Sequence, residues 1–228
     1  MSTQPESEPT YLFVVTYGRS GSTTLQAILN SIPGFLIRGE NRQALRFLHQ
    51  YHRTLVKDRE GFREMHRRNG RPVGMMTPSD PFYGIDQYPT EQALTEVRRL
   101  VTNTLLRPDD DTRVLGFKEI RWYHADVDEF VDWLREVFPG ARFLVNSRRH
   151  ADVAASGWWA KDPDAMSKLA TMEETFDSLR ERLGPAAHHV QYEDYVNRTE
   201  ALEPLFEWLG EPFVVDDVRR VLATRHSY

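Results

Sequence analysis

Tyr11-Leu12-Phe13-Val14-Val15-Thr16 runs straight into Tyr17-Gly18-Arg19-Ser20-Gly21-Ser22-Thr23-Thr24, and Leu25, Ile28 and Leu29 follow at helical spacing. The first six residues form a short apolar run rich in aromatic and β-branched side chains, the pattern of a strand buried on both faces. Gly18 and Gly21 interrupt it, so the stretch reads as strand, tight turn, helix. Glycine permits positive φ and close backbone approach, and a helix start presents unpaired N–H groups with a partial positive charge. Such a turn suits an oxyanion. Ser20, Ser22, Thr23 and Thr24 add hydroxyl donors, and Arg19 adds a forked cation that matches phosphate. Helix capping accounts for one or two of these residues, but not for an arginine set among small and hydroxylated neighbours. A Walker loop would be longer and would carry lysine where Ser22 stands. Without that lysine, the group that reaches the β- and γ-phosphates of ATP or GTP is missing.

Outward from this turn, strands and helices alternate. Residues 35–37 form a short apolar strand that leads into Gly39-Glu40-Asn41 and a helical segment with Leu45, Leu48 and Leu55 on one face. Helical periodicity returns over 91–106, and 113–117 reads as a strand with Lys118 and Arg121 just beyond it. A helix with Val127, Phe130, Val131 and Leu134 is closed by Pro139-Gly140. Residues 141–146 form a clear strand, followed by a helix over 151–161, a strand over 188–192 and helices near 200–209 and 216–224. This alternation predicts an α/β fold with a parallel sheet covered on both faces. Residues 1–10 read as a flexible leader and 11–228 as one domain. The segment 70–89 carries four prolines and three glycines. It reads as a long loop whose Met75, Met76, Phe82, Tyr83 and Tyr88 either close over a substrate or pack on the core.

Acidic residues outnumber basic ones, 34 to 29, for a net charge of −5. No whole-molecule field attracts nucleic acid, which is not an expected partner. The absence of cysteine excludes disulfides, thiolate metal sites and cysteine nucleophiles, and fits a reducing compartment. With no basic-then-apolar leader and no apolar run of about 18 residues, the expected setting is soluble and cytoplasmic, with no membrane span. His49 and His52 lie three apart without an acidic partner at a diagnostic spacing, so no metal site is expected. Trp158 and Trp159 read as helix-packing residues.

A second anion-binding pair follows the strand at 141–146. Arg148 stands at its end and Ser156 lies eight residues on, two turns into the expected helix. Spacing alone leaves a surface arginine and a packing serine equally open.

Taken together, these motifs resemble the sulfotransferases that use 3′-phosphoadenosine 5′-phosphosulfate (PAPS). Arg19-Ser20-Gly21-Ser22-Thr23 is similar to the family's loop for the 5′-phosphosulfate. Arg148 and Ser156, within RRHADVAAS, are similar to its 3′-phosphate motif, and Tyr192-Glu193-Asp194 to a stretch whose tyrosine lies by the adenine. The likeness runs in order from Tyr11 to Asp194. It implies a P-loop-like three-layer α/β sandwich, PAPS as donor with PAP as product, no metal, and a hydroxyl acceptor on a carbohydrate or small metabolite. Thr24 stands where many phenol- and steroid-modifying members have tryptophan, and the Lys-x-His pair of those members is not evident. The Gly39-Glu40 segment is closer to carbohydrate sulfotransferases, in which a glutamate acts as base. Glu40 is therefore the expected general base; from the residues alone it also reads as a helix N-terminal glutamate. Arg19 is expected to offset charge on the leaving group, and Lys118 or Arg121 to steady the sulfuryl group or orient Glu40. His150 and His49 stand as reserve bases. No Arg-Lys-Gly string occurs near the C-terminus, which leaves Arg225 and His226 as candidate further contacts to the 3′-phosphate. The rival readings are a P-loop-type small-molecule kinase needing ATP and Mg²⁺, and a non-catalytic adenosine-bisphosphate-binding module. Oligomeric state stays open.

Overall fold

The five strands among the described residues all run parallel, which sends their strand-to-helix turns to the same edge of the sheet. They are β1 (Thr10–Val15), β2 (Phe35–Arg38), β3 (Val114–Glu119), β4 (Arg142–Ser147) and β5 (Ala187–Gln191). Their order in the sheet is β2-β3-β1-β4-β5. The computed structural model describes residues 9–72 and 76–224. Residues 1–8 of the leader expected over 1–10, Met75, and the candidates Arg225 and His226 lie outside them. The helices are α1 (Ser22–Asn30), α2 (Ala44–Arg68), α3 (Thr90–Val101), α4 (Val127–Val137), α5 (His150–Ala154), α6 (Ala165–Leu183), α7 (Tyr192–Asn197), α8 (Glu203–Leu209) and α9 (Val215–Leu222).

The period of two in β1 divides the core. Phe13 and Val15 join Leu115, Phe117, Phe143 and Val145 on one face, against Leu94 of α3, Leu134 of α4 and Phe176 of α6. Leu12 and Val14 join Ile37, Leu144 and Val190 on the other, against Leu25 of α1, Leu205 of α8 and Val218 of α9. The result is the expected three-layer α/β sandwich. Because β1 is central, with β3 on one side and β4 on the other, the chain changes direction across the sheet at β1. A crevice beyond the carboxyl ends of the strands is where open α/β sheets bind ligands.

Several boundaries differ from the sequence reading. Thr10, assigned to the leader, opens β1, and its N–H donates to the Arg113 carbonyl at 3.0 Å. Lys118 and Glu119, expected just beyond a strand, are its last two residues, because pairing with β1 continues to Val15↔Glu119. Both are buried. The helix expected over 151–161 stops at Ala154; Gly157 then turns the chain with φ 59°, so Ser156 lies in a turn and not in a helix. α3 ends at Val101, and a π-turn over Thr102–Leu106 completes the segment. Helix α6 was not anticipated. Its buried Ala165, Leu169, Met172, Phe176, Leu179 and Leu183 form a narrow stripe at spacings of three and four, hidden among charged neighbours. The 70–89 segment packs on α2: Arg63 Nε donates to the Asp86 carbonyl at 2.8 Å, His52 Nδ1 meets the Tyr88 hydroxyl at 3.1 Å, and the rings of Phe62 and Phe82 lie 4.9 Å apart.

One carboxylate ties α2 to α4. Asp126 Oδ1 accepts from Arg46 Nη2 and from His124 Nδ1, both at 2.8 Å. Burial pushes the Asp126 carboxyl up, but the hydrogen bonds from Arg46 and His124 outweigh it and hold it at about 2. A carboxyl depressed in the folded state stabilises it above the unfolded pKa near 4, and that contribution is lost as pH falls through the folded value. Asp126→Asn is expected to lower stability by about 2 kcal/mol in urea unfolding at pH 7, a difference that shrinks as the pH approaches 2.

Candidate active site

The turn after β1 is rigid before any ligand arrives. Arg19 and Gly21 both take left-handed φ, 69° and 79°; for the arginine this costs about 1 kcal/mol. The Thr16 hydroxyl donates to the Asn146 carbonyl at 2.7 Å, and the Ser20 hydroxyl donates to Thr16 Oγ1 at 2.6 Å. Asn146 Nδ2 donates to the Ser20 carbonyl at 3.1 Å, and the Tyr195 hydroxyl closes the set on Asn146 Oδ1 at 3.2 Å. Ser20 is fully buried, so its side chain does not point at an external anion as the sequence suggested. Its hydroxyl stiffens the turn.

What faces outward is backbone. Gly21 O accepts from the N–H groups of Thr24 and Leu25 at 2.9 and 3.3 Å, while those of Gly21, Ser22 and Thr23 reach no acceptor among the described residues. Three adjacent free donors at the first turn of α1 can cradle an oxyanion. Thr23 is exposed, Thr24 half-buried and Ser22 buried beside them.

Two aromatic rings press on the turn. A Cβ on Gly18 would fall inside the Trp158 ring, and one on Gly21 inside the Tyr192 ring. Trp159 Nε1 also donates to the Gly18 carbonyl at 3.0 Å. Trp159 is buried, in keeping with a packing role, whereas Trp158 is 56% exposed and covers the turn. Sequence reasoning missed this contact, because the expected helix over 151–161 would have carried Trp158 elsewhere.

The second anion-binding pair meets the first turn directly. Arg148 Nη1 donates to the Arg19 carbonyl at 3.1 Å, and Arg19 Nε donates to Ser156 Oγ at 3.0 Å. The Arg148 guanidinium lies 4.7 Å from the Tyr192 ring centroid and its Nε 3.7 Å from Glu193 Oε1. That Nε is buried and makes no hydrogen bond. The backbone of Arg148 is clamped by Tyr17, whose hydroxyl donates to the Arg148 carbonyl at 2.8 Å and accepts from its N–H at 2.9 Å. Burial raises the Tyr17 phenol well above its ordinary range, so it stays protonated and can do both. Tyr17 thus fixes the Arg148 backbone; the sequence reading placed it at the start of the turn and gave it no role of its own.

On the other side of β1, Lys118 Nζ donates to Glu40 Oε1 at 2.6 Å. The lysine side chain is 6% exposed and the glutamate 41%. A buried cation thus holds one oxygen of a carboxylate whose outer edge meets solvent. Arg121 takes part through its main chain, its carbonyl accepting from the Gln43 side-chain amide. The reserve bases are engaged elsewhere: His150 Nε2 lies 3.3 Å from Glu173 Oε2, and buried His49 packs on Phe130 and Trp133. Among the described residues, no group of three or more His, Asp or Glu side chains is placed to hold a metal ion, and no helix is long and apolar enough to cross a membrane.

The fold is similar to that of the sulfotransferase domain of the Synechococcus PCC 7002 olefin synthase, at TM-score 0.55 and 15% identity over 99% of this chain and 82% of that one. It is also similar to the sulfotransferase domain from the curacin biosynthetic pathway, at TM-score 0.57 and 13% identity over 93% of this chain and 77% of that one. At such identities the likeness is one of fold. No curated protein matches the sequence. Residues 9–216, almost the whole described chain, match the profile of the Sulfotransferase family. With the glycine-bearing turn and the strand order that surrounds it, that match makes this chain a member of the sulfotransferase family, an enzyme of sulfuryl transfer.

Proposed function

We propose that the protein transfers the sulfuryl group of PAPS to a hydroxyl on a carbohydrate or small metabolite, with residues 11–228 acting as one catalytic domain and Glu40 as general base. The observation that carries this reading is the convergence of Arg148 and Ser156 on Arg19, beside three free backbone donors. Two cations and a helix start meeting at one point suit a nucleotide with two separate phosphate groups. The Nε of Arg148 makes no hydrogen bond, although the Glu193 carboxylate lies 3.7 Å away, so the guanidinium keeps donor capacity for a phosphate.

Bound PAPS supplies a sulfuryl group already activated on a phosphate leaving group. The chain's own residues do the rest. The N–H groups of Gly21, Ser22 and Thr23, with Thr24 nearby, hold the 5′-phosphosulfate, and Arg19 offsets the charge that collects on the leaving phosphate. Arg148 and Ser156 hold the 3′-phosphate, and Tyr192 lines the adenine side. Glu40 accepts the proton of the acceptor hydroxyl as the acceptor oxygen bonds to sulfur and the bond between sulfur and the 5′-phosphate oxygen breaks, with adenosine 3′,5′-bisphosphate leaving. Lys118, engaged through one N–H with Glu40 Oε1, directs the remaining N–H groups at charge on the transferring oxygens.

The test is a pair of melting curves in metal-free buffer, followed by labelled transfer. Adenosine 3′,5′-bisphosphate at 100 times its Kd is expected to stabilise the protein by about 2.7 kcal/mol, more than ATP or ADP. Mg-ATP matching or exceeding it would overturn the donor assignment. Screening labelled PAPS against sugars, phenols, amines and lipids then identifies the acceptor.

A further inference from the structure

The loop that presents Glu40 is bent against its own preference. Arg42 and Gln43 are consecutive non-glycine residues in the left-handed region, with φ 55° and 59°. Each such residue costs of the order of 1–2 kcal/mol, so two in a row persist only where neighbouring structure over-determines them. Helix α2 starts immediately after, at Ala44, and the Gln43 side chain does not cap it, its amide being engaged with the Arg121 carbonyl.

What holds the loop is Glu119. This carboxylate is 4% exposed, yet it has no cationic partner among the described residues within ion-pair distance. Its Oε2 accepts from the backbone N–H of Gln43 at 3.0 Å and of Asn41 at 3.3 Å, and its Oε1 from its own neighbour Ile120 at 2.8 Å. Its carbonyl accepts from Trp122 Nε1 at 2.8 Å, which fixes the turn that follows β3. A buried anion satisfied wholly by backbone donors at a helix start is a stable arrangement.

The strand pleat explains why this reaches the reaction. Val14 pairs with Lys118 and Val15 with Glu119, and those two valines face opposite layers of the sandwich. Successive residues at the end of β3 therefore point to opposite faces of the sheet. Lys118 takes the Glu40 side chain from one face, and Glu119 takes the Glu40 loop by its backbone from the other.

We propose that Glu119 is a positioning residue for sulfuryl transfer, pinning the 39–43 loop so that the Glu40 carboxylate is delivered onto Lys118. This rests on the reading of Glu40 as base. Its role is geometric: it touches neither donor nor acceptor, and its loss lets the loop relax towards right-handed φ and carries Glu40 off the lysine.

Glu119→Gln keeps the shape but replaces one acceptor oxygen with an amide donor that faces backbone N–H groups. Glu119→Asp keeps the charge but withdraws it by one methylene, and serves if the first variant fails to fold. Either is expected to lower kcat at least tenfold, to leave the Kd for adenosine 3′,5′-bisphosphate within twofold, and to speed backbone amide exchange at Asn41 and Gln43 while leaving Leu25 unchanged. Wild-type kcat, a loss of bisphosphate binding as large as the loss of kcat, or unchanged exchange at Asn41 and Gln43 would each overturn the proposal. Glu40→Gln is run alongside. If that variant loses transfer and the Glu119 variants do not, only the positioning role fails. If it keeps transfer, the base assignment itself fails.

Discussion

Glu40→Gln is expected to lower kcat for sulfuryl transfer about 10³-fold, within the range that a positioned general base contributes, while the melting shift produced by adenosine 3′,5′-bisphosphate is retained. The argument is one of geometry and separability. Glu40 is reached from Lys118 at 2.6 Å, on the β2–β3 side of β1, whereas Arg148, Ser156 and Tyr192 stand on the β4–β5 side. The amide preserves size and a hydrogen bond to the lysine but cannot take up the acceptor proton. A rise confined to the acceptor KM, with kcat unchanged, would mean that Glu40 binds and does not catalyse. Rates within a few-fold of wild type, measured with a verified acceptor, would remove it as base and turn attention to other groups at the same strand edge.

The second large effect is expected from Gly21→Ala. Two penalties coincide at this position. The backbone sits at φ 79°, which costs a residue with a Cβ about 1–2 kcal/mol, and the new methyl would overlap the Tyr192 ring. Relief requires either the ring or the turn to move, and the turn carries the free N–H groups of residues 21–23. The variant is therefore expected to lose the bisphosphate melting shift and to raise the donor KM at least tenfold, with a fall in stability of about 2 kcal/mol or more. Adding Tyr192→Ala to Gly21→Ala removes the overlap but not the backbone strain, so partial recovery of stability is expected without recovery of the donor KM. An unchanged donor KM in Gly21→Ala would show that this turn does not hold the donor.

The sequence was most informative where local chemistry and global fold agree. The run from Tyr11 to Thr24 contains its own strand, its own break and its own helix start, and the sheet merely buries what was already specified. The place of Arg148 just after β4 was legible from the apolar run that precedes it, and the place of Glu40 just after β2 from the glycine before it. Ser20 was misjudged because hydroxyl residues in a turn look alike in sequence; only the approach of Asn146 from β4 sends this one inward. Trp158 was hidden because α5 stops at Ala154 and Gly157, at left-handed φ, then turns the chain, where the sequence reads as a continuing helix. Glu119 was invisible for a different reason. A charged pair at the end of an apolar strand reads as solvent-exposed, and the partners that bury it are backbone N–H groups some 76 residues away in sequence, which have no signature.

The strand order has one more consequence. Under the proposed assignment, everything that grips the nucleotide apart from the β1 turn comes from residues 142–195, while the base, its lysine and the loop that carries it come from residues 35–121. The central strand is a partition between a cofactor half and a chemistry half. On that assignment, changes confined to the 35–121 block are expected to alter turnover, with donor affinity as the internal control that the other half has been left intact.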